Sequence, residues 1–146
     1  MKLRFLAAIF FLLSNTSAYA MDSSLVIHGI SYHSEPLRSG KAWNGANFGL
    51  GVRVDLPDNF SAQGGLYRDS LYRDSAYLMA DLLPLSYGHF HSGGFVGVKY
   101  ADKILSPIGG AVFRYSYGYG AVALRVAPIP KGNRGVVIAV EVSRRF

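Results

Sequence analysis

The stretch Asn47-Phe48-Gly49-Leu50-Gly51-Val52-Arg53-Val54-Asp55-Leu56 alternates without a break. Phe48, Leu50, Val52, Val54 and Leu56 share one face at a period of two, while Asn47, Gly49, Gly51, Arg53 and Asp55 share the other. A helix would scatter these apolar residues around its circumference, so the pattern predicts a β-strand with one apolar and one polar face. The C-terminal run repeats it, with Val136, Ile138, Val140, Val142 and Phe146 in phase against Ala139, Glu141, Ser143 and Arg145. Arg144 breaks that phase and is expected near an interface, where a long cationic side chain snorkels. Val122, Leu124 and Val126 alternate in the same way with Ala121, Ala123, Arg125 and Ala127.

Working outward, turn signals at Pro57-Asp58-Asn59, Ser86-Tyr87-Gly88, Tyr117-Gly118 and Pro130-Lys131-Gly132-Asn133 separate such runs. Strands are expected near 25–33, 47–56, 60–69, 76–85, 94–101, 110–116, 119–127 and 135–146. An even number of strands of about ten residues, alternating apolar and polar, predicts an all-β fold: an eight-stranded antiparallel up-and-down transmembrane β-barrel. A soluble barrel of the same size would place its apolar face inward and many charges outward. Here the few charges share phase with small residues such as Gly49, Gly51, Ala121 and Ala139. That combination fits a narrow interior filled by an ion-pair network of Arg53, Asp55, Arg125 and Glu141. The ten tyrosines and Trp43 fall mostly at strand ends, where interfacial aromatic girdles lie.

Lys2 and Arg4 precede an apolar run from Phe5 to Leu13, and Ala18-Tyr19-Ala20 follows, so residues 1–20 are expected to be a cleaved export signal and 21–146 one outer-membrane barrel domain. No later stretch approaches the roughly 20 apolar residues of a spanning helix. With half of the residues hydrophobic and 16% charged, the composition argues against disorder. The absence of cysteine excludes disulfides, thiolate nucleophiles and Cys-based metal sites. The formal charge of +6, two units of it from Lys2 and Arg4, is too small to argue for nucleic acid and suits anionic lipid headgroups.

Leu66-Tyr67-Arg68-Asp69-Ser70 is followed at once by an identical Leu71-Tyr72-Arg73-Asp74-Ser75. An odd repeat in a continuous strand would send Asp69 and Asp74 to opposite faces, so the second copy is expected in a surface loop between the third and fourth strands.

Without cysteine the candidate nucleophiles are hydroxyls, and the general bases of suitable pKa are His28, His33, His89 and His91. His33 ends the first strand, and Asp69-Ser70 ends the third. In an up-and-down barrel these ends share a rim, where a His, an Asp and a Ser could polarise a hydroxyl for acyl transfer. The plainer reading makes Asp69 and Ser70 turn formers and His33 an interfacial aromatic. By parity His28 is expected on the strand face opposite His33, and His89 and His91 as solvated residues of a Gly/Ser-rich turn without a third metal ligand. The pairs Gly93-Gly94 and Gly109-Gly110 read as barrel kinks, since no Lys-Ser/Thr follows at phosphate-loop spacing. No metal or cofactor is expected.

The sequence resembles the outer-membrane lipid A palmitoyltransferases known as PagP. The similar points run in order through Ser31-Tyr32-His33, Asn44 to Leu50, Leu66-Tyr67-x-Asp69-Ser70, Phe90 to Val98, Pro107 to Gly120, Val126-x-x-Ile129-Pro130 and the terminal Phe146. The resemblance implies a barrel in the outer membrane of a Gram-negative cell that moves an acyl chain from a phospholipid to lipid A. Its partners would then be those lipids, the outer-membrane bilayer and the barrel assembly machinery. The family's catalytic residues would fall on His33, Asp69 and Ser70, with Asp74-Ser75 as a rival pair. Two departures stand out. The family's N-terminal amphipathic helix has no counterpart, and near the glycine that sets acyl-chain length this sequence has Ala80 and Asp81. An inward Asp81 would oppose acyl binding unless protonated or paired.

Three readings follow. An acyltransferase uses His33 as base, Asp69 as orienting group and Ser70 as polar or nucleophilic participant, with an interior above mid-height lined by apolar side chains such as Leu25 and Ile27. A non-enzymatic barrel, serving envelope support or loop-mediated binding, is plugged throughout by Arg53, Asp55, Gln63, Arg125 and Glu141. A lipid A deacylase uses the same His and Ser chemistry.

Overall fold

A computed structural model describes residues 22–36, 42–129 and 135–146. The expected export signal and the expected turn at Pro130–Asn133 lie outside the described residues. Eight strands follow one another: β1 Ser23–His33, β2 Ala46–Asp55, β3 Phe60–Arg68, β4 Asp74–Tyr87, β5 Phe90–Ala101, β6 Ile104–Tyr117, β7 Gly120–Pro128 and β8 Val136–Arg145. Each pairs antiparallel with its sequence neighbours, and β1 pairs with β8 to close the sheet into a barrel. Closure leaves no free edge strand, as β-structure in hydrocarbon requires, although the loop-side end of β6 from Ile104 to Gly110 extends past its pairing with β7.

The alternation read from the sequence sets the two faces. Phe48, Leu50, Leu78, Val96, Phe113, Leu124 and Val142 are exposed on the outside of the barrel, while Arg53, Gln63, Asp81, Arg114, Arg125 and Glu141 are buried within it. One rim carries the short turns around Asp58, Gly88 and Gly118; the other carries the β1–β2, β3–β4, β5–β6 and β7–β8 connections. Exposed aromatic residues collect at both: Tyr32, Tyr72 and Tyr100 at the loop rim, and Tyr87, Phe90, Tyr117, Tyr119 and Phe146 at the turn rim.

Several boundaries differ from expectation. β5 starts at Phe90 and not near residue 94, so His91 is a strand residue whose Nδ1 lies 3.0 Å from the Ser86 hydroxyl. β6 starts at Ile104 and passes straight through Pro107. The proline is tolerated because β6 pairs with β7 only from Ala111 opposite Val126, so Pro107 faces a partner on the β5 side alone. In the duplicated pentapeptide, Leu71-Tyr72-Arg73 forms the turn as expected, but Asp74 and Ser75 already begin β4.

The parity argument for the first strand fails at one place. His28 faces Gly49 and Glu141, whereas Ile30 faces Ala46 and Ser31 faces Ala139, so the register shifts around Gly29. A bulge of this kind re-aims every later side chain. His28 and His33 therefore both turn inward. Leu25 and Ile27, expected to line the interior, are 42% and 48% exposed on the lipid-facing side, and Val26 takes the interior position.

Candidate functional site

The barrel interior has two unlike halves. Across its middle and toward the turn rim it is crossed by charge, above a cavity of about 380 Å³ at the turn rim itself. Asp81 accepts from Arg114 Nη2 at 2.6 Å, from Arg125 at 2.6 and 3.0 Å, and from the Ser61 hydroxyl at 3.3 Å. Arg125 also meets Glu141 at 2.9 Å, and Arg53 meets Asp55 at 3.0 Å. His28 Nδ1 lies 3.3 Å from the other Glu141 oxygen. Three arginines thus face three carboxylates, and the Arg125 guanidinium also covers the Phe95 ring at 4.9 Å. Asp81 does face inward, but it is paired, so it closes the floor of the space above without leaving a bare charge there.

Toward the loop rim lies a cavity of about 500 Å³. Tyr67, Tyr77, Met79, Phe95, Ile108, Ala127 and Val140 line its walls, with His28, Arg125 and Glu141 at the bottom. This volume falls in the range of sites for small molecules. Two glycines make room for its aromatic wall. A Cβ on Gly49 would sit 2.3 Å from Tyr67 Cβ, and one on Gly51 would sit 2.3 Å from the Tyr77 hydroxyl. The cavity also reaches the β6–β7 seam, where Ile104 to Gly110 has no β7 partner and Pro107 and Pro128 face the gap.

His33, Asp69 and Ser70 all border this cavity. The rim argument grouped them, and the structure places them on one mouth. It does not place them in a hydrogen-bonded row. The His33 ring stacks on Trp43 with centroids 4.2 Å apart and planes 8° from parallel. Trp43 is fixed in turn by donating Nε1–H to the Glu35 carbonyl at 2.7 Å. Among the described residues no hydrogen bond joins His33 to Asp69 or Ser70.

Asp69 is 1% exposed and saturated with donors. One oxygen accepts from the Leu71 and Arg73 amides at 2.9 and 3.0 Å, which closes the turn. The other accepts from Arg73 Nη2 at 2.7 Å, Arg73 Nε at 3.0 Å and Lys99 Nζ at 3.2 Å. Burial alone would raise this carboxyl, but the Arg73 side chain and amide, with Lys99 and the Leu71 amide, outweigh it and lower the pKa to about 2. The Arg73 guanidinium is raised in return, by its bond to Asp69 above all. Ser70 is held lightly, its hydroxyl accepting from Asn47 Nδ2 at 3.4 Å. Asn44 clamps the β1–β2 connection onto this turn, its amide donating to the Ser70 carbonyl at 2.9 Å and its side chain to the Asp69 carbonyl at 3.1 Å.

The rival pair is separated from this mouth: Asp74 is exposed on the outer side, and Ser75 is buried without lining the cavity. Of the remaining histidines, His89 and His91 sit at the far rim. Among the described residues no cluster of His, Asp and Glu has metal-binding geometry.

The plug and the closed eight-stranded sheet together decide the architecture. The fold is that of outer-membrane β-barrels. Similar solved structures include the de novo designed TMB2.3, with a TM-score of 0.65 at 14% identity over 88% of this chain and 98% of the design. The Yersinia pestis outer membrane protein Ail, solved in a phospholipid bilayer nanodisc, gives a TM-score of 0.53 at 11% identity over 86% of this chain and 99% of that one. No protein-family model matches the chain, and no curated protein is similar to it. At such identities the likeness concerns the fold, and function must be argued from the cavity.

Sequence reasoning missed most of the cavity wall. Tyr67 and Tyr77 read as interfacial residues, and Met79 and Arg114 drew no attention. For three of them parity was the available signal, since Tyr67 lies four residues from Gln63 on β3, and Tyr77 and Met79 lie four and two residues from Asp81 on β4; Arg114 is the one charge of β6 and belongs to the plug below.

Proposed function

We propose that the chain is an outer-membrane lipid acyltransferase that holds an acyl chain in the loop-side half of its barrel and passes it from a phospholipid to lipid A, as the resemblance to PagP implies. The observation that carries this reading is the apolar cavity, closed below by a neutral plug and open at a mouth bordered by His33, Asp69 and Ser70. Each methylene buried there contributes about 0.8 kcal/mol. The ester would remain at the mouth, within reach of His33 and Ser70, and the β6–β7 gap would give the chain a sideways route from the bilayer. Chemistry requires His33 to leave Trp43 and approach Ser70, a tightening that substrate binding can supply.

The test is expression in an outer membrane lacking lipid A acylation of its own, with mass spectrometry of the lipid A. A gain of one acyl chain, absent from a folded His33→Ala/Ser70→Ala double variant, supports transfer. Loss of one chain instead indicates the deacylase.

A second reading rests on Asp69. Its oxygens are taken by Arg73, Lys99 and two turn amides, which makes it a turn-forming residue and leaves no acceptor to orient an imidazole. On that reading the barrel binds a lipid chain without reacting it. A folded barrel that leaves lipid A unchanged but retains chain binding would establish it.

A further inference from the structure

The loop-side cavity carries charge at both ends. Among the described residues that line it, the charged side chains are Asp69, Arg73 and Lys99 at the mouth and Arg125 and Glu141 at the floor. The floor pair is tied into the plug, where Arg125 meets Glu141 at 2.9 Å and Asp81 at 2.6 Å. The mouth holds two cations against one carboxylate. Lys99 reaches it through the period of β5: it shares the inward face with Phe95 and lies four residues, about 13 Å, nearer the loop rim.

Exposure decides which sign a ligand meets there. The Asp69 carboxylate is buried and enclosed by its donors, whereas the side chains of Arg73 and Lys99 are 28% and 20% exposed. The Arg73 guanidinium is committed to Asp69 through Nε and Nη2 and reaches Asp102 at 3.4 Å through Nη1. Asp102 is exposed and does not line the cavity, so solvent screens its charge from the interior. Lys99 is less committed. An ammonium carries three N–H donors, and among the described residues Nζ makes one hydrogen bond, to Asp69 Oδ2 at 3.2 Å. That bond fixes Nζ beside the turn that carries Ser70, where the ester of a bound chain would lie. In a phospholipid the phosphate stands one glycerol away from that ester. A part-buried ammonium with donors to spare, above walls of Met79, Phe95, Ile108 and Val140, matches an acyl chain whose head bears anionic oxygens.

We propose that Lys99 is the headgroup-binding residue of this cavity: its ammonium, with Arg73 beside it, holds the phosphate of the lipid whose acyl chain lies below. The inference rests on the acyl-binding reading of the cavity and deepens it, but it does not depend on transfer chemistry. Lys99 Nζ donates to a phosphate oxygen while it keeps Asp69, and the held phosphate fixes the height of the ester at His33 and Ser70. A neutral glyceride enters the same cavity without that stop.

The test uses the folded protein in micelles of an uncharged detergent and two single-chain lipids of equal acyl length. Lysophosphatidylglycerol carries the phosphate, and monoacylglycerol lacks it. Emission from Trp43, the one tryptophan of the sequence, reports binding at the mouth because its indole stacks on His33. The wild type should bind the phosphate lipid about tenfold more tightly, as one charge-assisted hydrogen bond allows, and added salt should shrink the preference. Lys99→Met, which keeps an unbranched stem, should bring the two affinities within about twofold by weakening the phosphate lipid alone, while Lys99→Arg should keep the preference. Asp69 retains Arg73 and two turn amides in both variants. Equal affinities in the wild type overturn the inference while leaving the acyl-binding reading intact. A preference that survives Lys99→Met overturns it as well, by placing the phosphate elsewhere, and so does an equal loss of both lipids in that variant, by showing a packing role. If neither lipid binds the wild type, both this inference and the acyl cavity fail.

Discussion

Replacing Asp81 by Asn tests whether the interior is held by charge balance. Asp81 is 1% exposed and joins Arg114 and Arg125 through bonds of 2.6, 2.6 and 3.0 Å. Removing one member of a buried pair costs about 3–5 kcal/mol, because the remaining charge stays desolvated. Here Arg125 keeps Glu141 at 2.9 Å and Arg114 keeps Asp55 at 3.8 Å, and the new amide retains one acceptor oxygen. The expected loss is therefore about 2–4 kcal/mol. Urea unfolding of the protein in phospholipid vesicles, followed by Trp43 emission, measures it. The double variant Asp81→Asn/Arg114→Gln restores neutrality and should recover at least about 1 kcal/mol of that loss. A single-variant loss below about 1 kcal/mol, or no recovery in the double variant, would refute the claim that charge balance holds the interior together.

Three further outcomes are expected. Leu50→Arg places a cation on the lipid-facing side, where Leu50 is 59% exposed, and should cost about 2–4 kcal/mol in the same unfolding assay. Gly49→Ala drives a methyl into the Leu66 carbonyl and Tyr67 and should cost about 1–3 kcal/mol, with loss of fatty-acid binding measured by Trp43 emission. The Asp69 carboxyl, lowered to about 2, contributes stability that is complete above pH 4 and lost as the pH falls toward 2. Solvent screening at the rim leaves about 1 kcal/mol of it. Asp69→Asn should be less stable than wild type by that amount at neutral pH, and the two should converge near pH 2 when unfolding is measured across the range.

The fold was legible where alternation is unbroken. β2 and β7 carry an uninterrupted period of two, β8 breaks it at Arg144 near its end, and the expected and observed spans of all three agree closely. Where Gly93-Gly94 and Pro107 look like breakers, β5 and β6 run on, because pairing with a neighbouring strand supplies what local propensity lacks. The first strand misled for a different reason. A bulge leaves no mark on composition, so parity carried His28 and His33 to opposite faces when the shift at Gly29 brings both inside. Leu25 and Ile27 were given an inward place because an acyl pocket needs apolar lining, whereas the barrel turns this phase of β1 outward to the lipid. Counting strand ends was enough to bring His33, Asp69 and Ser70 to one rim. It could not show that Arg73, from the duplicated pentapeptide, would occupy Asp69, or that Trp43 would stack on His33.

The charged plug also bears on how the chain reaches its final form. Its members come from β1, β2, β3, β4, β6, β7 and β8, with β5 contributing the Phe95 ring over Arg125. The whole network forms only on closure, because His28 of β1 reaches Glu141 of β8 and Arg53 of β2 reaches Ser143 of β8. A half-assembled barrel in the bilayer would carry bare charges facing hydrocarbon, so such intermediates are penalised until β1 meets β8. The last seam to zip and the ionic cluster should therefore form in a single step, and the barrel should open as one unit rather than strand by strand.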